Sequence, residues 1–192
     1  LIKIYFIFNK YLFKDLLIVK IMGIKNLYKL ITDYAPDSIT NTKISDYKNK
    51  VIVIDASLVI YQYVIAIRNT GNDFVNNNGE MTTHILGIVN KSLMLLNLDI
   101  LPIFVFDGKA PKLKKLTLKN RKLLKDKNLK KLEDCDYDNE EDRIKIFKKC
   151  YTITKEHKLQ IKEMLDLFGI PFFESSTEAD VLCAQLVKEN KK

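Results

Sequence analysis

Val51-Ile52-Val53-Ile54-Asp55 and Ile103-Phe104-Val105-Phe106-Asp107 are two short apolar runs that each stop on an aspartate. Their length and their β-branched and aromatic content suit buried strands. The segments between them carry helical spacing, long enough to return the second run parallel to the first. Two parallel strands that end on acids place those acids at one sheet edge, where α/β sheets hold ligands.

Working outward from these runs, the chain alternates strand and helix. Residues from Gly23 to Tyr34 predict a helix, with Ile24, Leu27, Tyr28, Leu30 and Ile31 at helical spacing and Pro36 as its stop. Ser38 to Lys50 is polar and turn-like. Ser57 to Arg68 predicts a helix, Asn69 to Gly79 a loop, and Thr82 or Thr83 caps a helix to about Leu98. Pro102 precedes the second strand. Lys155 to Phe168 predicts another amphipathic helix, closed by Gly169. Ile170 to Phe173 resembles a third strand, and Thr177 opens a last helix to about Lys188. The βαβ order predicts an α/β fold with a parallel (mixed) central sheet flanked by helices.

The chain has 192 residues, 47% of them apolar, enough for one domain with a core. Its net charge of +8 suits a polyanionic partner, but Lys, Ile, Leu and Asn are abundant throughout, so the position of the charges matters more than their sum. Cys135, Cys150 and Cys183 form no CxxC pair and no zinc pattern, which points to a reduced intracellular compartment and not to a secreted protein. His84 and His157 read as isolated core or surface residues. Residues 1–21 are apolar but broken by Lys3, Lys10, Lys14, Asp15 and Lys20. They offer neither the ~20-residue apolar run of a membrane span nor a signal-peptide cleavage site. They read as upstream read-through or a disordered extension before Met22.

The third strand-loop-helix unit brings two more acids, so Asp55, Asp107, Glu178 and Asp180 are expected at one carboxyl edge. Ionised carboxylates that crowd together raise one another's pKa unless a cation joins them. Hard oxygen ligands of this kind favour Mg²⁺ or Mn²⁺, and paired ions of this type promote phosphodiester hydrolysis. Each acid also fits an ordinary role. Asp55 can cap a helix, Asp107-Gly108 is a turn dipeptide, and Thr177 with Asp180 resembles a capping box.

Beyond the second strand the composition changes. Residues 109–131 hold eleven Lys or Arg and one acid, Asp126, whereas residues 133–142 hold seven acids and no base. Lys114 and Arg121 are seven residues apart and so share a helix face. Basic helices contact phosphate, Arg through two parallel bonds; a solvated charged face is the alternative. The acidic block reads as a solvated segment topping the basic arm. Tyr61, six residues past Asp55, is placed either to stack on a base or to join the core.

Met22-Gly23-Ile24-Lys25-Asn26-Leu27, Val53-Ile54-Asp55-Ala56-Ser57, Val105-Phe106-Asp107-Gly108-Lys109-Ala110-Pro111 and Gly169-Ile170-Pro171 with Thr177-Glu178-Ala179-Asp180 closely resemble the flap endonuclease family of XPG-type structure-specific 5′ nucleases. The resemblance runs from Met22 onward and includes Tyr61-Gln62 and Ala66-Ile67-Arg68. It implies a PIN-like 5′ nuclease domain over 22–192, with a basic helical arch at about 109–155 and truncation at the C-terminus. It also implies two Mg²⁺ per complete active site, for which Mn²⁺ can substitute.

Asp55, Asp107 and Glu178 match the family's carboxylate positions. Asp180 matches one where the family usually carries Glu. Lys114 and Arg121 match the basic pair that holds the scissile phosphate, and Tyr61 the aromatic on which a base stacks. Gly23 matches the residue whose free amine lies near the site, and Arg68 falls among the implied DNA contacts. Branched or flapped DNA is the implied partner, with a sliding clamp through a C-terminal motif. A monomer is implied, free of membrane and nuclear if eukaryotic. The resemblance places further aspartates after Lys192, which predicts that these residues alone are inactive. A non-catalytic nucleic-acid-binding scaffold is the alternative, and the retained acids argue against it.

Overall fold

The computed structural model of the chain describes residues 26–39, 42–134 and 139–189. The expectations for residues 1–21 and for Gly23 lie outside them. Helix α1 (Leu27–Tyr34) stops where its last turn meets Ala35 and Pro36. Two 3₁₀ turns, Pro36–Ser38 and Ile44–Tyr47, lead into strand β1 (Val51–Asp55). Helices α2 (Ala56–Arg68) and α3 (Thr83–Leu96) return the chain to strand β2 (Leu101–Phe106). Then come α4 (Lys115–Asp134), α5 (Glu140–Lys149), α6 (Lys155–Leu167), strand β3 (Phe172–Glu174) and α7 (Ala179–Glu189).

The described strands form one sheet in the order β1-β2-β3, parallel throughout. Strand alternation sorts its side chains into two cores. Phe104 and Phe106 pack with Val59, Ile60 and Val64 of α2, Ile88 of α3, and Ile161 and Leu165 of α6. Val53 and Val105 face the other way, onto Ala179 and Cys183 of α7. Helices therefore cover both faces, as a parallel sheet requires. Burying a phenylalanine such as Phe104 contributes roughly 2–3 kcal/mol. Gly87 lets α3 approach α2, since a Cβ there would lie 2.7 Å from the Tyr63 side chain.

Three sequence expectations shift. Strand β2 begins at Leu101, so Pro102 lies inside it, paired with Ile52. The Leu101 N–H bonds to Lys50 O on the β1 side, while Phe104 N–H bonds to Pro171 O on the β3 side. Pro102, of the same parity as Phe104, turns its missing donor toward β3 before pairing with β3 begins. The third strand starts at Phe172 and not at Ile170, because the Ile170 N–H still caps α6 on Leu165 O. Helix α7 begins at Ala179, so Asp180 is its second residue and the Thr177 capping box does not form.

Candidate functional site

Strand β1 runs into α2 without a loop. Asp55 is both the last strand residue and the helix N-cap, its Oδ1 accepting the Leu58 N–H at 3.1 Å. Burial is the main force raising its carboxyl, up to about 6; Asp107 and Asp180 push the same way, against the Leu58 bond. A group so placed is ionised at neutral pH only at a cost, which a nearby cation would offset.

Asp107 follows β2 and joins three elements. Its Oδ2 accepts from Ser57 Oγ of α2 at 2.7 Å, and its Oδ1 accepts the Ala179 N–H at 2.9 Å. Asp107 therefore caps α7 across 72 residues of sequence, an anion at a helix N-terminus. Lys158 of α6 donates to its backbone carbonyl at 2.8 Å. Ser57 stands in the motif that follows Asp55 but showed no link to Asp107, and Lys158 carried no sequence signal, since each is an ordinary helix residue until the folded chain brings it to Asp107.

The loops after β2 and β3 fasten to each other beside these acids. The Gly108 N–H donates to Thr177 O and the Ser175 N–H to Phe106 O, at 2.8 and 2.9 Å. Buried Ser175 donates from Oγ to Glu178 O at 2.9 Å. A Cβ at Gly108 would lie 1.8 Å from Ser175 O, a distance no side chain tolerates. The loop carrying Glu178 is held against the one carrying Asp107 through this glycine.

The structure thus brings Asp55, Asp107, Glu178 and Asp180 to the edge that the strand pattern predicts. The Cys183 thiol, pushed up to about 12, registers burial first, then Asp55, Asp180 and Asp107. The acids do not close into a cage, however. Among the described residues no group of three or more His, Cys, Asp or Glu is gathered tightly enough to hold a metal ion. Each of three acids has a protein partner instead. Asp55 and Asp107 cap helices, and Glu178 pairs with the Lys114 ammonium. Asp180 is exposed. The donor chemistry, all carboxylate oxygen, fits a hard divalent cation; closing on one requires Glu178 to exchange its lysine.

Lys114 ends a 3₁₀ turn, Lys112–Lys114, and Arg121 lies on α4, so the two do not share one continuous helix. Every residue from 112 to 124 is exposed. The acidic block is partly helical: Glu140, Glu141 and Asp142 form the first turn of α5, with Asn139 as its cap. There they complement the helix dipole. Residues 135–138 of that block lie outside the described residues.

Tyr61 is half-buried on α2, its ring edge-on to Tyr151 with centroids 5.5 Å apart. Arg68 does not face outward. It is 7% exposed, and its Nε and Nη2 bond to Asp73 and its Nη1 to Phe147 O. Those bonds take its donors inside the fold, which counts against a direct DNA contact. His84 and His157, isolated in sequence, stack at 4.2 Å where α3 meets α6. Burial lowers both below the ordinary histidine range.

The XPG N-terminal domain model matches residues 22–128. Flap endonuclease 1 of Danio rerio is 40% identical over 171 residues, and that of Entamoeba histolytica 41% over 172. The alignments cover 88% of this chain and 45% and 46% of those proteins. The chain thus spans about half the length of the curated relatives it matches. Among solved structures, the catalytic core of Rad2 in complex with DNA substrate superposes with a TM-score of 0.57 at 26% identity, over 88% of this chain and 44% of that one. Flap endonuclease-1 from Methanococcus jannaschii does so with a TM-score of 0.54 at 26% identity, over 79% and 49%.

Proposed function

The chain belongs to the XPG N-terminal domain family, and on that premise we propose that it carries the carboxylate edge and phosphate arm of a structure-specific 5′ nuclease acting on branched or flapped DNA. One observation carries the reading most directly: three parallel strands deliver Asp55, Asp107, Glu178 and Asp180 to the foot of an exposed basic helix. Polyanion binding there relieves real repulsion. Lys115 and Lys119, and Arg121 and Lys125, are like-charged pairs one turn apart on α4, each unfavourable by about 0.2–0.5 kcal/mol.

In this reading Asp55, Asp107, Glu178 and Asp180 would hold a divalent cation, Mg²⁺ with Mn²⁺ as a substitute. When bound, it supplies Lewis-acid activation of water and charge neutralisation at a phosphodiester. The residues themselves do the rest. Ser57 and the α7 N-terminus hold the Asp107 carboxylate in one orientation. Lys114 exchanges Glu178 for the scissile phosphate, and Arg121 grips the same phosphate or its neighbour, so both stabilise charge that develops in the transition state. Tyr61 offers a ring on which the terminal base stacks. If the source is eukaryotic, the enzyme would work in the nucleus, with a sliding clamp as a candidate partner. No helix among the described residues is long and apolar enough to cross a membrane.

A non-catalytic DNA-binding scaffold is the second reading. It draws on the protein partners that Asp55, Asp107 and Glu178 hold. Cleavage of a labelled 5′-flap substrate with Mg²⁺, by the protein at its natural full length, separates the two. Asp107→Asn can keep the helix cap, so it should lower cleavage by about 10²-fold or more while flap binding persists. Unchanged cleavage in that variant defeats the nuclease reading.

A further inference from the structure

Arg68, the last residue of α2, sits where the basic arm returns to the body of the domain. Its guanidinium makes a two-pronged pair with Asp73, with Nη2 to Oδ2 at 2.6 Å and Nε to Oδ1 at 2.9 Å. Its remaining nitrogen donates to Phe147 O of α5 at 2.9 Å. The same group lies 4.1 Å over the Phe147 ring and 5.1 Å over the Tyr151 ring. Two bonds from α5 answer it: Lys148 Nζ donates to Asn69 Oδ1 at 2.6 Å, and Arg143 Nη2 to Gly71 O at 3.3 Å. The end of α2 and the turn after it thus form a seat for α5. Tyr151, under the same guanidinium, stacks parallel to His157 with centroids 5.8 Å apart and meets Tyr61 edge-on.

We propose that Arg68 is a positioning residue: it fixes the seat of α5 through Phe147 and orients the Tyr61 ring through Tyr151, without touching DNA itself. The DNA half of this inference rests on the nuclease reading. A planar fork is needed, because only arginine can bond a carboxylate with two prongs, reach a carbonyl and lie flat on two rings together. The burial of the pair explains why breaking it moves its neighbours. An exposed pair would simply resolvate.

The test uses Arg68→Lys, Tyr61→Ala, their double variant and Phe147→Leu, which leaves the Arg68–Asp73 pair in place. Amide hydrogen exchange reports the seat. In Arg68→Lys and in Phe147→Leu, amides of α5 and of residues 150–154 should exchange about tenfold faster while the sheet and α3 keep their protection. Unchanged exchange in α5 overturns the inference. Flap-DNA affinity reports the ring: Arg68→Lys and Tyr61→Ala should each weaken binding by about tenfold, and the double variant no further, because both act through one surface. Losses that multiply show Arg68 reaching DNA by itself and also overturn the inference. A wild-type protein that binds no flapped DNA defeats the nuclease reading instead, whereas the exchange result judges the seat on its own.

Discussion

The carboxylate edge and the basic arm meet at Lys114 and Glu178 yet are built in opposite ways. At the edge, backbone and side-chain groups are paired across three strands and two helices, and buried Phe104, Val105 and Phe106 lie directly beneath. On the arm, residues 112–124 are exposed, and Leu113 is 95% accessible. The edge holds Asp55 and Asp107 in place by partial burial and hydrogen bonds. The arm keeps charge in water, where long side chains can follow a phosphate backbone. Position is expensive to change at the edge and nearly free to change on the arm.

The sharpest way to break this contrast is at Gly108. Gly108→Ala would set a Cβ against the Ser175 carbonyl, separating the loops that carry Asp107 and Glu178. A loss of about 3 kcal/mol in urea unfolding is expected. A loss under half of that would show that the edge is as pliable as the arm.

Asp55 gives the next largest effect, with opposite sign. Its folded-state carboxyl sits at about 6, above the ordinary 3.8. A raised acid contributes stability below the unfolded value and loses it as pH rises through the folded one, so at neutral pH the buried carboxylate weakens the fold. Asp55→Asn keeps an N-cap of equal quality and should raise stability at pH 7.5 by about 2 kcal/mol. The gain should vanish as pH falls from about 6 toward 4. Thermal melts across that range check it, and a gain that persists at pH 4 would show that charge is not its cause.

The smallest effect sharpens the arm's side of the comparison. Lys119→Ala with Lys122→Ala should leave stability within about 0.5 kcal/mol. The salt dependence of flap binding should nonetheless become shallower by roughly 1.5 in log–log slope. An unchanged slope would remove these lysines from the phosphate path.

Much of this was legible in the chain. Strand β1 lies where its apolar run predicted, and the three parallel strands and their terminal acids follow from period and order. Pro102 misled the start of β2 because a proline's place in a strand depends on which side its missing N–H faces, and that side is set by pairing with strands elsewhere. Thr177 looked like the cap of α7 because local sequence offers only local partners, whereas Asp107 supplies the cap from the neighbouring strand. For Arg68 the motif shows a cation, and only the folded chain shows that Asp73 and the Phe147 carbonyl take its donors. His84 and His157 became a stacked pair only once α3 packed on α6.

The sequence by itself therefore determined the elements, the edge on which the acids fall and the basic character of the arm, because hydrophobic period and charge are local properties of the chain. Tertiary structure decided what Asp107, Glu178 and Arg68 are bonded to. A hydrogen bond or ion pair needs a partner within about 3 Å, and for Asp107, Glu178 and Arg68 that partner includes a residue more than sixty positions away.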